Sequence, residues 1–200
     1  MTKRFGDIYL IGYLLLVITG LVIYFSGPHG TTVLWINTRH HPVLDFSFRW
    51  LTYLGDGITF AIAVAIFLIL RWRTGLILLG LGLVQTLLSF LLKRVIFPGT
   101  PRPKTYFEDM DLHFVAGVKV HAYNAFPSGH TMTAFALATF LVYAIRNQKS
   151  AVLLLLLATL AGFSRIYLLQ HFLIDVCVGS FLGVVLGRLA SELDRRIVMK

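Results

Sequence analysis

The stretch "SAVLLLLLATLAGFSRIYLLQHFLIDVCVGSFLGVVLG" (residues 150–187) contains two long apolar runs, separated by a short segment with a serine, an arginine and a histidine. A helix needs roughly 20 mostly apolar residues, at about 1.5 Å each, to cross a bilayer. The two runs therefore predict two membrane-spanning helices, at 150–164 and 172–189. Ionisable side chains are costly near lipid, so those in and beside the short segment require partners or a function.

The rest of the chain has the composition of a membrane protein. Its 200 residues are 57% hydrophobic and 14% charged, whereas soluble domains carry about 25% charged residues. Four more apolar runs raise the number of predicted spanning helices to six, and these lie at 8–25, 50–70, 74–92 and 128–145. We therefore expect an all-α, six-helix membrane bundle that forms a single domain over residues 1–200.

Two long connections join the predicted spans. The first contains "TTVLWIN" (31–37) and "HPVLDFSFRWL" (41–51), whose tryptophans and mixed polarity indicate short interfacial helices. The second includes the stretch 104–126, whose role the sequence leaves open. Its ionisable side chains include Glu108, Asp109, Asp111, His113 and His121. The acidic ones are most simply explained as part of a solvated surface.

The formal net charge of +9 does not indicate a nucleic-acid binder. The basic residues lie in small groups between apolar runs and form no basic face or arm, which excludes nucleic acid as the expected partner. The expected partners are the bilayer and an anionic membrane lipid. The sequence gives no indication of the oligomeric state.

The basic residues also predict the orientation. With the N-terminus inside, ten of them fall on the cytoplasmic side: Lys3, Arg4, Arg71, Arg73, Arg146, Lys149, Arg188, Arg195, Arg196 and Lys200. The opposite side has eight: Arg39, Arg49, Lys93, Arg94, Arg102, Lys104, Lys119 and Arg165. Because the inner loops are short and dense in charge, both termini are expected in the cytoplasm. Membrane topology does not explain why so many basic residues lie on the outer side, so a function is expected for them.

Three polar segments fall at helix ends on that outer side: "KRVIFPGTPRP" (93–103), "FPSGH" (126–130) and "SRIYLLQHFLID" (164–175). Together they supply several cations, two histidines and one acid, a set suited to a dianion such as phosphate. Arginine offers paired N–H donors and lysine a point charge. "PSGH" has the proline, capping serine and glycine of a helix N-terminus that binds anions.

The histidines and the aspartate are suited to the chemistry of phosphate-ester cleavage. If the last helix begins near His171, then Asp175 lies one turn on and can hold one ring nitrogen, which leaves the other free to attack phosphorus. His130 can protonate the leaving oxygen. An alternative is that His130, His171 and Asp175 bind zinc. The neighbouring arginines argue against a zinc site, because they would repel a cation.

These segments resemble the three signature motifs of the type 2 phosphatidic acid phosphatase superfamily. The matching residues are Lys93 to Arg102–Pro103, "PSGH" at 127–130, and "SR-x5-H-x3-D" from Ser164 to Asp175. The family's first motif usually has six residues between lysine and arginine, but eight separate them here. The extra length falls in "FPGTP" (97–101), a predicted turn, and Arg94 is an alternative to Lys93.

The resemblance implies a membrane lipid phosphatase that needs no metal or other cofactor. It implies a phosphohistidine on His171, with Asp175 orienting that ring and His130 as general acid. The residues implied to hold the phosphate are Lys93, Arg102, Ser128, Gly129 and Arg165. The leading substrates are undecaprenyl diphosphate and phosphatidylglycerophosphate; phosphatidic acid and lipid A phosphate are alternatives within the same mechanism.

The resemblance further implies a bacterial inner (plasma) membrane protein whose active site faces the periplasm or exterior. A hypothesis from another class remains, in which the same cations serve a transporter or lipid-phosphate binding protein without chemistry. The nucleophile–acid pair distinguishes the two, since a binder does not need it. A haloperoxidase role would require vanadate and is disfavoured by the membrane setting.

Overall fold

The computed structural model describes residues 4–198, in which helices are the regular secondary structure and one isolated bridge joins Pro101 to Tyr123. Lys3 and Lys200, two of the basic residues assigned to the cytoplasmic side, lie outside these residues. The helices are α1 (Arg4–Phe25), α2 (Thr31–Asn37), α3 (Pro42–Leu51), α4 (Gly57–Leu70), α5 (Trp72–Leu91), α6 (Pro103–Tyr106), α7 (Gly129–Ile145), α8 (Gln148–Tyr167) and α9 (Leu173–Val198).

Each of the six predicted apolar runs lies largely within a helix, but the count of six spans is not confirmed. Four helical segments are long and apolar enough to cross a membrane: Phe5–Phe25, Trp72–Ile96, Gln148–Tyr167 and Leu173–Ile197. A bent pair, Pro42–Gly55 with Gly57–Leu70, raises the number to five if it is one span. α7 has only 17 residues, and ten of them are buried, because it is enclosed by other helices rather than by lipid.

The predicted span at 50–70 is not continuous. α3 ends at Leu51, a 3-10 turn covers Thr52–Gly55, and α4 begins at Gly57 with a bend of 48° between the two parts. Asp56 causes the restart, because its Oδ1 accepts a hydrogen bond of 2.9 Å from the backbone N–H of Ile58 and caps α4. This break was not predicted from the sequence, because the run is apolar on both sides of one aspartate.

The core of the fold is the contact between α7 and α9, the most extensive helix pair in the described part of the chain. Gly179, Gly183 and Gly187 recur every four residues on α9 and face the backbone of α7. A Cβ atom at any of these positions would collide with a backbone carbonyl oxygen of Ser128, Met132 or Ala136. Small residues at this spacing let two helices approach backbone to backbone in a membrane.

The first long connection forms the two predicted short helices. "TTVLWIN" forms α2 over the predicted residues, and "HPVLDFSFRWL" forms α3, whose first turn has a proline and is capped by His41. Phe48 of α3 is buried, with its ring 4.7 Å from that of Tyr167 at the end of α8. α2 and α3 therefore cover the end of the bundle at which α8 ends.

The stretch 104–126 packs over the same end of the bundle. Phe107, Leu112 and Val115 are buried in a cluster with residues of α2, α3 and α8. His113 Nε2 lies 2.8 Å from Asp45 Oδ2 on α3. Glu108, Asp109 and Asp111 are exposed, in agreement with a solvated surface. The stretch is thus a packed cover that holds the connection between α5 and α7 against the bundle.

At the other end of the bundle, the start of α1, the α4–α5 and α7–α8 connections, and the last turns of α9 meet. They line a cavity of about 940 Å³ whose basic residues are Arg71, Arg146, Arg188 and Arg195. Glu192 accepts a hydrogen bond of 2.7 Å from Arg195 there. The short loops assigned to the cytoplasmic side therefore share one end of the molecule.

Candidate active site

The centre of the candidate site is a buried histidine–aspartate pair. His171 follows α8 and is 1% exposed, and Asp175 lies in the first turn of α9 and is 3% exposed. His171 Nδ1 lies 3.3 Å from Asp175 Oδ2, as the predicted one-turn spacing requires. The same carboxylate oxygen accepts the backbone N–H of Phe172 at 2.9 Å, which fixes its position. Nε2 of His171 is the nitrogen left to react.

Three cations of the described residues interact electrostatically with His171: Arg102, Arg165 and Lys93. Burial, together with these cations, holds the pKa of His171 well below its ordinary value of 6.5. The imidazole is therefore neutral at neutral pH, which is the form that can act as a nucleophile.

Arg102 is held by the segment that carries His171. It is buried, and its Nη1 donates to the side-chain oxygen of Gln170 at 2.7 Å and to the backbone oxygen of Gln170 at 3.2 Å. Its Nε donates to the backbone oxygen of Tyr123 at 3.0 Å. Gln170 in turn donates to the backbone oxygen of Lys119 at 2.9 Å. The stretch 104–126 and Gln170 thus fix the guanidinium from two sides.

Arg165 lies in the last turn of α8, because that helix continues to Tyr167 rather than ending at the predicted 164. Its side chain is 7% exposed, and its Nη1 donates to Thr52 Oγ1 at 2.6 Å. Its Nε is buried and has no hydrogen-bond partner among residues 4–198. A buried donor of this kind costs about 1–3 kcal/mol unless a ligand accepts its hydrogen bond.

Lys93, and not Arg94, points towards the cluster. Lys93 is partly buried and donates to the backbone oxygen of Asn124 at 3.2 Å, whereas Arg94 is exposed. Lys93 also interacts electrostatically with Arg102 and Asp175. The segment Leu92–Ile96 is a π-helical turn, and a bend follows at residues 97–99. The longer first motif is therefore accommodated by the predicted turn and by a π turn that the sequence did not indicate.

"PSGH" forms the N-terminus of α7, as predicted. Ser128 caps the helix: its Oγ lies 2.8 Å from Thr131 Oγ1 and accepts the Thr131 backbone N–H at 3.4 Å. The backbone N–H of Ser128 donates to the backbone oxygen of Asp175 at 3.0 Å, which ties α7 to α9. Gly129 is the first residue of α7. Ser128 thus has a structural role as a cap, whether or not it also contacts phosphate.

His130 has a partner that the sequence analysis missed. Its Nε2 lies 3.5 Å from Oδ2 of Asp56, the residue that caps α4. Gly55 packs against the backbone oxygen of His130, so closely that a Cβ atom there would collide with it. The only signal for Asp56 in the sequence is an acid inside an otherwise apolar run. Gln170, beside His171, is a second missed residue and has no motif of its own.

The alternative zinc site is not formed. His171 pairs with Asp175, while His130 pairs with Asp56 on the other side of the cluster. Among residues 4–198, no three histidine, cysteine, aspartate or glutamate side chains are grouped so that they could hold a metal ion.

Some of the eight outer cations have other contacts. Arg39 stacks over the ring of Trp35 at 4.1 Å, and Arg49 donates to the backbone oxygen of Ala116 at 3.2 Å. Lys104 and Lys119 are exposed. His121, also exposed, has a pKa lowered by partial desolvation and by the positive charge of Arg102. Lys93, Arg102 and Arg165 are therefore the cations that meet around His171.

Comparison with known proteins identifies a family to which this chain is similar. Residues 74–197 match the family described as the PAP2 superfamily. The undecaprenyl-diphosphatase BcrC of Bacillus subtilis is 28% identical, over 82% of this chain and 78% of that protein. The lipid A 1-phosphatase of Porphyromonas gingivalis is 41% identical over 70 residues, a segment that makes up only 16% of that protein.

Two solved structures share the fold. Aquifex aeolicus LpxE superimposes with a TM-score of 0.71 and 30% identity, over 82% of this chain and 94% of that one. A PAP2-type phosphatidylglycerolphosphate phosphatase from Bacillus subtilis gives a TM-score of 0.69 and 25% identity, over 98% of both chains.

Proposed function

This chain belongs to the PAP2 superfamily, and from that premise we propose that it is a membrane phosphatase that hydrolyses a lipid phosphate or diphosphate. The observation that carries the proposal is the buried His171–Asp175 pair within a cluster of three cations. A neutral imidazole enclosed by positive charge suits attack on a dianionic phosphoryl group, which neutralises the cations as it binds. The unpartnered Nε of Arg165 supplies a donor for a phosphate oxygen.

The first step transfers the phosphoryl group to the protein. Lys93, Arg102 and Arg165 hold its oxygens, together with the backbone N–H groups at Gly129. Nε2 of His171 attacks phosphorus while Asp175 holds Nδ1, and the bond from phosphorus to the leaving oxygen breaks. His130 donates a proton to that oxygen, and a phosphohistidine remains.

The second step restores the enzyme. His130, now lacking the proton, accepts one from a water molecule as that water attacks phosphorus. The phosphorus–nitrogen bond breaks, inorganic phosphate leaves, and both histidines return to their starting state. Asp56 lies beside Nε2 of His130 and would stabilise its protonated form, which is present before the first step and is restored by the second. No step in this scheme requires a metal ion, so activity is expected to survive chelation.

The position of the site suits a lipid substrate. Lys93, Arg102 and His171 lie at the end of the bundle opposite the cavity lined by Arg71 of the α4–α5 connection and Arg188 of α9. If that end lies on the cytoplasmic side of a bacterial inner membrane, the site faces the periplasm or exterior. A lipid could then enter from the outer leaflet while its headgroup meets the cations. Undecaprenyl diphosphate and phosphatidylglycerophosphate are the leading substrates, and phosphatidic acid and lipid A phosphate are alternatives.

The proposal is tested by phosphate release from purified protein in detergent, across these four lipid classes. We expect the wild type to release phosphate from at least one class, with and without a chelator. His171→Ala should reduce the rate on the order of 10⁴-fold or more while the protein still folds. His40→Gln, a change of an exposed histidine outside the cluster, is the matched control and should keep wild-type activity.

Three further results distinguish the proposed phosphohistidine mechanism from its alternatives. A radiolabelled phosphoryl group that is stable to base and labile to acid should be trapped on the wild type and be absent from His171→Ala. Wild-type protein that binds these lipids without releasing phosphate would instead support the transporter or binding alternative. Full activity of His171→Ala would contradict the proposed nucleophile.

A further inference from the structure

A second, smaller cavity of about 190 Å³ lies beside His130 and outside the cation cluster. Gln85 and Ser89 of α5 line one side, and His130 and Thr133 of α7 line another. Gly55, Gly57, Thr86, Gly129 and Met132 also line it. The cavity is large enough for several water molecules or a three-carbon polyol, since one water occupies about 30 Å³.

Gln85 is the unusual residue of this cavity. It lies in a membrane-spanning helix, where polar side chains are costly, yet it is only 6% exposed. Its Nε2 donates to Thr133 Oγ1 at 3.3 Å. Its Oε1 is buried and has no hydrogen-bond partner among the described residues. A buried acceptor without a partner, on a residue that lines a cavity, indicates a ligand that donates a hydrogen bond.

The charge of the cavity restricts the class of ligand. Apart from His130, the residues that line it are all uncharged. Lys93, Arg102 and Arg165 are not among them. A second phosphate would therefore lack countercharges there, whereas a neutral hydroxyl would find an amide oxygen and the hydroxyl group of Ser89. The cavity is suited to an alcohol and not to an anion.

We propose that this cavity binds a free hydroxyl group of the leaving alcohol, and that the preferred substrate is therefore a phosphorylated polyol lipid. The inference rests on the proposed function, in which His130 protonates the leaving oxygen. The carbon bonded to that oxygen must lie beside His130, so a hydroxyl on the adjoining carbon can reach the cavity and donate to Gln85 Oε1. Phosphatidylglycerophosphate has such a hydroxyl, whereas the leaving group of undecaprenyl diphosphate is a phosphate monoester without one.

The test uses two matched substrates: phosphatidylglycerophosphate, and its analogue in which propanediol replaces the phosphorylated glycerol and the free hydroxyl is lost. For the wild type, kcat/KM should be about two- to tenfold higher for the hydroxyl-bearing lipid, the effect of one ordinary hydrogen bond. In Gln85→Met, which has similar volume and no acceptor oxygen, the ratio of the two kcat/KM values should fall to about one. Leu87→Met, on the exposed face of α5, should keep the wild-type ratio.

The outcomes separate this inference from the proposed function. Absence of phosphate release from every lipid would overturn the phosphatase itself. Release at equal rates from the two substrates, or a preference that persists in folded Gln85→Met, would overturn the hydroxyl site alone. If Gln85→Met does not fold, the comparison of the two substrates with wild-type protein still decides the matter.

Discussion

Substituting Gly183 with alanine tests how closely α9 must pack on α7 for the candidate site to form. A Cβ at this position would collide with the backbone oxygen of Met132, and it would lie only 3.0 Å from the Ala136 backbone nitrogen and from Phe135 Cβ. Backbone atoms cannot rotate away as a side chain can. The substitution therefore requires the two helices to separate.

Two opposing effects determine the change in stability. Alanine is favoured over glycine inside a helix by about 1 kcal/mol. Overpacking of a close interface costs about 1–3 kcal/mol. Gly80→Ala isolates the first effect, because Gly80 lies within α5 and a Cβ there has nothing within 4 Å. The stability of Gly183→Ala should therefore fall below that of Gly80→Ala by about 1–3 kcal/mol.

The same separation should reduce activity. α7 carries Ser128 and His130 at its N-terminus, and α9 carries Asp175, which the Ser128 N–H contacts at 3.0 Å. A displacement of about 1 Å between catalytic groups costs on the order of 100-fold in rate. Thermal midpoints in detergent and phosphate-release rates are the measurements. A Gly183→Ala protein as stable and as active as Gly80→Ala would refute the direct backbone packing of α7 on α9.

Two other predictions concern the charged pairs. Asp56→Asn should lower the rate of phosphate release about tenfold or more with a lipid phosphate, because its alkoxide leaving group needs protonation. The loss should be much smaller with p-nitrophenyl phosphate, whose leaving group needs no proton. Equal losses with the two substrates would contradict a role of Asp56 through His130. The pKa of His171 is well below 6.5 in the folded protein, so below pH 6.5 the unfolded chain binds a proton that the folded protein does not. Stability should then fall by up to about 1.4 kcal/mol per pH unit as the pH decreases from 6.5. The fall in thermal midpoint between pH 6.5 and 5 should be smaller in His171→Gln, and an unchanged slope would exclude this origin.

The structural features that depend on a local sequence pattern were predicted correctly. α2 occupies the predicted residues 31–37, and Ser128 caps α7 as the motif indicates. The one-turn spacing from His171 to Asp175 also holds. These features are set by residues within a few positions of one another, so composition and spacing are enough to identify them.

Contacts between distant segments were not predictable in this way. Asp56 and His130 are 74 positions apart, and Asp56 already has a local role as the cap of α4. The spacing of Gly179, Gly183 and Gly187 was visible, but its partner helix was not. The count of six spans is not confirmed for a similar reason: α7 is a short helix that neighbouring helices bury, and apolar content alone does not distinguish burial by protein from contact with lipid.

The break before α4 links the proposed phosphate-binding and proton-transfer parts of the site. Thr52, at the start of the 3-10 turn, holds Arg165, and Asp56, directly after it, contacts His130. In an unbroken helix the N–H of Ile58 would donate to the backbone, whereas here it binds Oδ1 of Asp56 and leaves Oδ2 towards His130. Gly55 brings this turn against the His130 backbone. One short turn therefore sets the position of Arg165 relative to His130, which are the phosphate-binding guanidinium and the general acid of the proposed mechanism.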